Sequence, residues 1–257
     1  MFRWLTQAAL CGACLVPGLG CANVLEKHAI QKFTNGLQGA DLPALKASTS
    51  TGFEHKALRH EAAIATIKDL KIPSGKPEIL KVEEKDNVKD VTVALGEKKT
   101  KILFKLTRDT RTGKWVVDDV VSKQRKKGQP APKSVAEQMD LLLCVHECLD
   151  AWESAAADQI MAGATAEFAT LLGELPQAKL LEVVKHVTGD ELSHKQLRPE
   201  AQINEETAIV RVPRKLGQML ISFRRVEDRW RVDDVAVESK QDGAHIPSVH
   251  RFRSRCY

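Results

Sequence analysis

Trp115-Val116-Val117-Asp118-Asp119-Val120-Val121 returns as Trp230-Arg231-Val232-Asp233-Asp234-Val235-Ala236, 115 positions later. Two copies of Trp-x-Val-Asp-Asp-Val at that separation divide the 257-residue chain into similar halves. The similarity extends upstream with a change of offset. Leu103-Phe104-Lys105-Leu106 matches Leu220-Ile221-Ser222-Phe223 at 117 positions, so the turn before the first motif is two residues longer. A length change at a hairpin tip is tolerated because the tip lies on the surface. The pattern is that of a duplicated unit.

Around each motif the same order of elements repeats. In the first half, apolar residues at spacings of three and four predict helices over 24–37, 42–47 and 53–70. Asp41 is placed to cap the second, with Pro43 in its first turn. Strands follow at 78–84, 89–95, 100–106 and 114–122, separated by turn residues such as Gly96 and Gly113. In the second half, helices are predicted over 134–156, 158–172 and 177–187, with strands at 201–203, 207–212, 218–225 and 229–238. Short turns between successive strands imply antiparallel meanders. Helices before strands imply an α+β class, with the helices covering one face of a curved sheet in each of two similar domains. The expected organisation is a leader at 1–22, a first repeat at 23–123, a linker at 124–133, a second repeat at 134–239 and a surface tail at 240–257.

Side chains alternate between faces along a strand. In the first motif Trp115, Val117, Asp119 and Val121 are thus expected on one face unless a bulge intervenes. Asp119, beside the tryptophan, is then the sheltered acid. By the same reading Asp234 accompanies Trp230.

Residues 1–22 carry Arg3, an apolar run over 5–19 and small residues at the exit, with no acid before Glu26. That is the composition of a secretory leader, and the run is too short for a membrane-spanning helix. The exit Gly18-Leu19-Gly20-Cys21 resembles a bacterial lipoprotein signal, which would lipidate Cys21 and anchor the chain without spanning the bilayer. Gly18 stands where that family carries leucine, and a cut after Ala22 is the competing reading. Either way the chain is expected to be exported, as a membrane-anchored lipoprotein or as a free periplasmic or extracellular protein.

Charge is uneven. Residues 24–128 hold 22 basic and 14 acidic residues, and 129–239 hold 12 and 19. The halves either attract each other, face different partners, or have drifted on solvated surfaces. The basic linker has no interleaved aromatics, so no nucleic-acid partner is expected.

Cys144 and Cys148 lie one helical turn apart and read as small buried hydrophobes, with a bridge from either to Cys256 as the alternative. His146 falls about 200° around the helix from both, which disfavours a zinc cluster. No metal site and no cofactor are expected. Phosphate loops, His-Glu-x-x-His and nucleophile-elbow motifs are absent from the sequence.

Helices followed by a meander ending in Trp-x-Val-Asp-Asp-Val resemble the nuclear transport factor 2-like superfamily of cone-shaped α+β domains, over about 23–123 and 134–239. The resemblance implies a conical pocket in each domain, pairing of the two domains within the chain, and ligand binding by Trp115, Asp119, Trp230 and Asp234. Isomerases of that superfamily use a pocket acid as base with a tyrosine as oxyanion donor. Asp119 and Asp234 are the catalytic candidates here, but the single tyrosine is Tyr257. The leading expectation is a non-catalytic, exported, anchored protein that binds a small apolar ligand or a cell-envelope partner. An isomerase or dehydratase, and a purely structural envelope protein, are the alternatives.

Overall fold

A computed structural model describes residues 23–122, 133–188, 200–204, 206–214 and 217–239. The leader with Cys21, most of the linker, and the tail with Cys256 lie outside the described residues.

The chain is an α+β protein of two similar units, each with helices preceding a four-stranded antiparallel meander. In the first, α1 (Val24–Gly39), α2 (Leu42–Lys46), α3 (Thr51–Ala57) and α4 (Ala63–Asp69) precede β1 (Glu78–Lys85), β2 (Val88–Leu95), β3 (Thr100–Arg108) and β4 (Trp115–Ser122). A two-residue strand, β5 (Lys133–Ser134), then pairs with the end of β4. In the second, α5 (Val135–Glu153), α6 (Ala157–Gly163), α7 (Ala166–Gly173) and α8 (Gln177–Thr188) precede β6 (Glu200–Ile203), β7 (Thr207–Arg214), β8 (Gly217–Val226) and β9 (Arg229–Ser239). Strand order follows chain order in both sheets.

Two predicted helices are each broken in two, the first at a local cap and the second by a contact with β9. The stretch 53–70 is interrupted between α3 and α4. There the Arg59 guanidinium donates to the carbonyls of His55 and Lys56, satisfying the open end of α3. The His60 ring nitrogen Nδ1 accepts the N–H of Ala62. The stretch 158–172 is interrupted at Ala164–Thr165, where Ala164 bridges to Val232 and the Thr165 N–H binds the Val232 carbonyl at 2.8 Å. The first unit does the same at Ser50, whose N–H binds the Val117 carbonyl at 2.8 Å.

Each Trp-x-Val-Asp-Asp-Val strand is bulged at its first aspartate. Lys105 pairs with Asp119 and Leu106 with Val117, leaving Asp118 extra. Ser222 pairs with Asp234 and Phe223 with Val232, leaving Asp233 extra. A bulge reverses the alternation beyond it. Trp115, Val117 and Val120 therefore share the core face, as do Trp230, Val232 and Val235. The expectation that Asp119 shares the tryptophan's face fails for this reason, and so does its counterpart at Asp234.

Phe33, Phe53 and Phe104 are fully buried between sheet and helices in the first unit, and Trp152, Phe168 and Phe223 fill the second. Phe33 meets Phe53 and Phe104 edge to face, at 5.8 and 6.0 Å between centroids. The conical pocket implied by the nuclear transport factor 2-like resemblance does not form. Both sheets are open, and side chains occupy the space each would enclose.

Helix α5 serves both units. Val135, Ala136, Met139 and Leu143 enter the first core, while Leu141, Val145, Cys148, Leu149 and Trp152 enter the second.

Candidate functional site

The repeated motif is built into the framework. Ser50 Oγ accepts the N–H of Phe53, capping α3, and donates to the Asp118 carboxylate at 2.6 Å. Thr165 Oγ1 caps α7 through Phe168 and donates to Asp233 at 3.0 Å. Asp119 is 9% exposed and accepts two backbone N–H groups, from Val120 at 2.8 Å and from Ala136 at 3.1 Å in the first turn of α5. Burial pushes its carboxyl above the usual aspartate range, against the pull of those donors. Asp234 accepts the N–H of Val235 at 2.9 Å. Trp115 has Lys89 at 4.6 Å and Arg108 at 4.8 Å over its ring, and Trp230 has Arg225 at 4.8 Å. The fold thus places Trp115 and Asp119 on opposite faces of one strand, and Trp230 and Asp234 on opposite faces of another.

The cavity lies elsewhere. A cleft of about 710 Å³ opens between the units, walled by the α3–α4 turn, by α5 and α6, and by the β8–β9 hairpin. Its floor is the edge of the second core, Trp152, Ile160, Phe168, Phe223, Trp230 and Val232, each 5% exposed or less. Its rim is charged. Trp230 lines it, whereas Trp115, Asp119 and Asp234 do not. The Trp230 indole N–H is buried and makes no hydrogen bond.

Arg59 organises one wall. It reaches Asp140 at 2.6 Å, Glu147 at 2.7 Å and the Cys144 sulfur at 3.1 Å. Burial opposes its charge, but the Glu147 hydrogen bond and the surrounding acids outweigh that and raise its pKa above the ordinary arginine value. Next to it, His60 Nε2 lies 3.1 Å from Asp150, and its Nδ1 is already an acceptor, so Nε2 carries the proton of that bond. The His60 ring stacks on His146 at 5.8 Å.

Cys144 and Cys148 both line the cleft and are free thiols. Burial pushes each up to about 12, so both stay protonated at neutral pH. Among the described residues no group of three or more His, Cys, Asp or Glu could hold a metal ion. Among them no helix is long and apolar enough to cross a membrane.

Across the hairpin, Glu227 and Asp228 both take left-handed backbone angles, φ 49° and 62°, forming a two-residue turn. Asp228 lies 3.8 Å from Lys56 and 3.7 Å from Arg225. Beneath that tip Glu137 of α5 is clamped by Lys56 at 2.7 Å from one unit and by Arg225 from the other. Arg59, Glu137 and the hairpin arginines escaped sequence reasoning because their partners on other elements lie 69 or more positions away. The one available signal was the shortened second hairpin.

No family model matches this chain, and no curated protein matches it. Among solved structures, a cystatin-like protein from Ruminococcus gnavus matches at 12% identity, covering 85% of this chain and 94% of that one, with a TM-score of 0.24. The open sheets, filled by side chains, correct the nuclear transport factor 2-like resemblance read from the sequence, and none of the comparisons supports the lipoprotein and envelope assignments.

Proposed function

We propose that this is a non-catalytic binding protein that takes a small ligand in the cleft between its two units. One observation carries the reading: a concavity of about 710 Å³ with an apolar floor and a polar rim, within the size range of small-molecule sites. The groups there suit binding better than chemistry. Arg59 is committed to Asp140 and Glu147, His60 to Asp150, and the thiols are held protonated. The leader-like composition of residues 1–22 supports export, which the mass of the mature chain recovered from its source would test.

Gly163 provides a test of the cleft. It lines the cavity, and a Cβ built on it meets nothing within 4 Å. Gly163→Phe should therefore fill the cleft and leave the fold intact. The neutral apolar dye Nile red should bind the wild type with enhanced fluorescence and lose that enhancement in the variant, with melting temperature unchanged. Equal Nile red binding by both proteins would overturn the reading.

A further inference from the structure

We infer that the cleft's ligand is an amphipathic anion, its apolar body on the Trp230–Phe223–Ile160 floor and its negative group held by Arg229 and Arg231; this rests on the cleft being the binding site. The charged groups around the rim differ in their partners. Arg59 faces two carboxylates, Asp140 and Glu147, Asp150 meets His60, and Asp228 lies between Lys56 and Arg225, which also hold Glu137. Arg229 and Arg231 differ from these. Among the described residues neither has a carboxylate within ion-pair distance, and both have neutral acceptors instead. Arg229 lies 3.3 Å from His55 Nε2, and Arg231 donates to the Ala162 carbonyl.

The two arginines are separated by one residue on β9, ahead of the bulge, so their side chains leave the same face. Trp230, between them, leaves the opposite, core face, and all three side chains line the cleft. A guanidinium offers five N–H donors in a planar fork, more than a histidine nitrogen or a carbonyl can satisfy. Two such forks beside an apolar floor match a carboxylate, sulfonate or phosphate attached to a hydrocarbon or aromatic body. Negative charge remains on the rim against the two arginines: Asp140 and Glu147 share one guanidinium, and Glu227, exposed at the hairpin tip, is in none of the pairs above.

The test compares two dyes on the full chain. Anilinonaphthalene sulfonate carries an aromatic body and one negative charge, and Nile red carries none. In Arg229→Gln and Arg231→Gln, sulfonate affinity should fall about tenfold each, as expected for loss of a charge-assisted hydrogen bond, while Nile red affinity stays within twofold. Raising salt from about 0.05 to 0.5 M should weaken only the sulfonate. Glu227→Gln, at an exposed position, should leave sulfonate affinity unchanged or tighten it. Inorganic phosphate, which lacks the apolar body, should compete poorly. Unchanged sulfonate binding in both arginine variants, or equal loss of both dyes without a change in melting temperature, would overturn the assignment. If Nile red binds the wild type and the sulfonate does not, the anion fails and the cleft stands. If Gly163→Phe blocks neither dye, the cleft itself fails.

Discussion

The Ser50 hydroxyl and the Asp118 carboxylate are joined at 2.6 Å across 68 residues, and Thr165 and Asp233 are joined across the same separation at 3.0 Å. In each case a bulged strand grips the capping residue of a helix. The aspartate therefore orients the hydroxyl that satisfies the helix's open N–H groups.

Removing either cap should cost stability in a matched way. Ser50→Ala and Thr165→Ala should each destabilise by about 1 kcal/mol, which is a fall of roughly 2–4 °C in melting temperature for a chain of this size. Asp118→Ala and Asp233→Ala should act through the same contact, so double variants within a pair should be less than additive by calorimetry. Full additivity would show that the bulge does not position the cap.

Asp119 separates charge from hydrogen bonding. Its folded pKa is raised, so ionisation opposes folding. That cost is absent below about pH 3.9, the unfolded aspartate value, and is complete once the pH exceeds the raised folded value. Asp119→Asn keeps an acceptor for Val120 and Ala136 and should match or exceed wild-type stability at pH 7, with the difference vanishing near pH 3. Asp119→Ala leaves those donors unpaired and should lose about 1–3 kcal/mol at both. Urea unfolding at the two pH values checks both variants.

Glu137 shows the opposite sign. Burial raises its pKa, but Lys56 and Arg225 outweigh burial and hold it below the ordinary glutamate range. Its contribution is present above about pH 4.3, the unfolded value, and is lost as the pH falls through the lower folded value. Glu137→Gln should be less stable than wild type at pH 7, and the gap should close on acidification. Melting curves across pH 2–7 measure this.

Cys144 and Cys148 should resist alkylation. With thiols pushed up to about 12, the thiolate fraction at pH 8 is on the order of a thousandfold below that of a free cysteine, and burial slows access further. Iodoacetamide should label both readily in denaturant and neither appreciably in the native protein, read by peptide mass spectrometry. Rapid native labelling of Cys144 would show that its wall of the cleft opens.

Much of the architecture was legible because it is written locally. Val91, Val93 and Leu95 alternate and are buried, and the offsets of 117 and 115 around the two hairpins match the observed pairing of Arg108 with Trp115 and of Arg225 with Trp230. The helix breaks were not legible: the one at 58–62 carries no glycine or proline, and the one at 164–165 follows Gly163, a residue that helices also tolerate inside. Arg59, within the first break, folds back on the His55 and Lys56 carbonyls while bound to Asp140 and Glu147 of α5, and the Val232 carbonyl fixes the second from β9. The bulges were equally silent: two adjacent aspartates say nothing of which one is extra. The cleft is assembled from residues near 55–60, 140–151 and 227–232, and no local pattern connects those stretches. The repeat therefore led attention to Asp119 and Asp234, which lie outside the cavity.

The division of α5 between two interiors ties the stability of the units together. A first unit ending near residue 123 would lack Val135, Ala136, Met139 and Leu143, leaving an apolar seam along its flank. Severed at the join, neither fragment should survive alone, while the two co-expressed with that helix on either piece should find each other again.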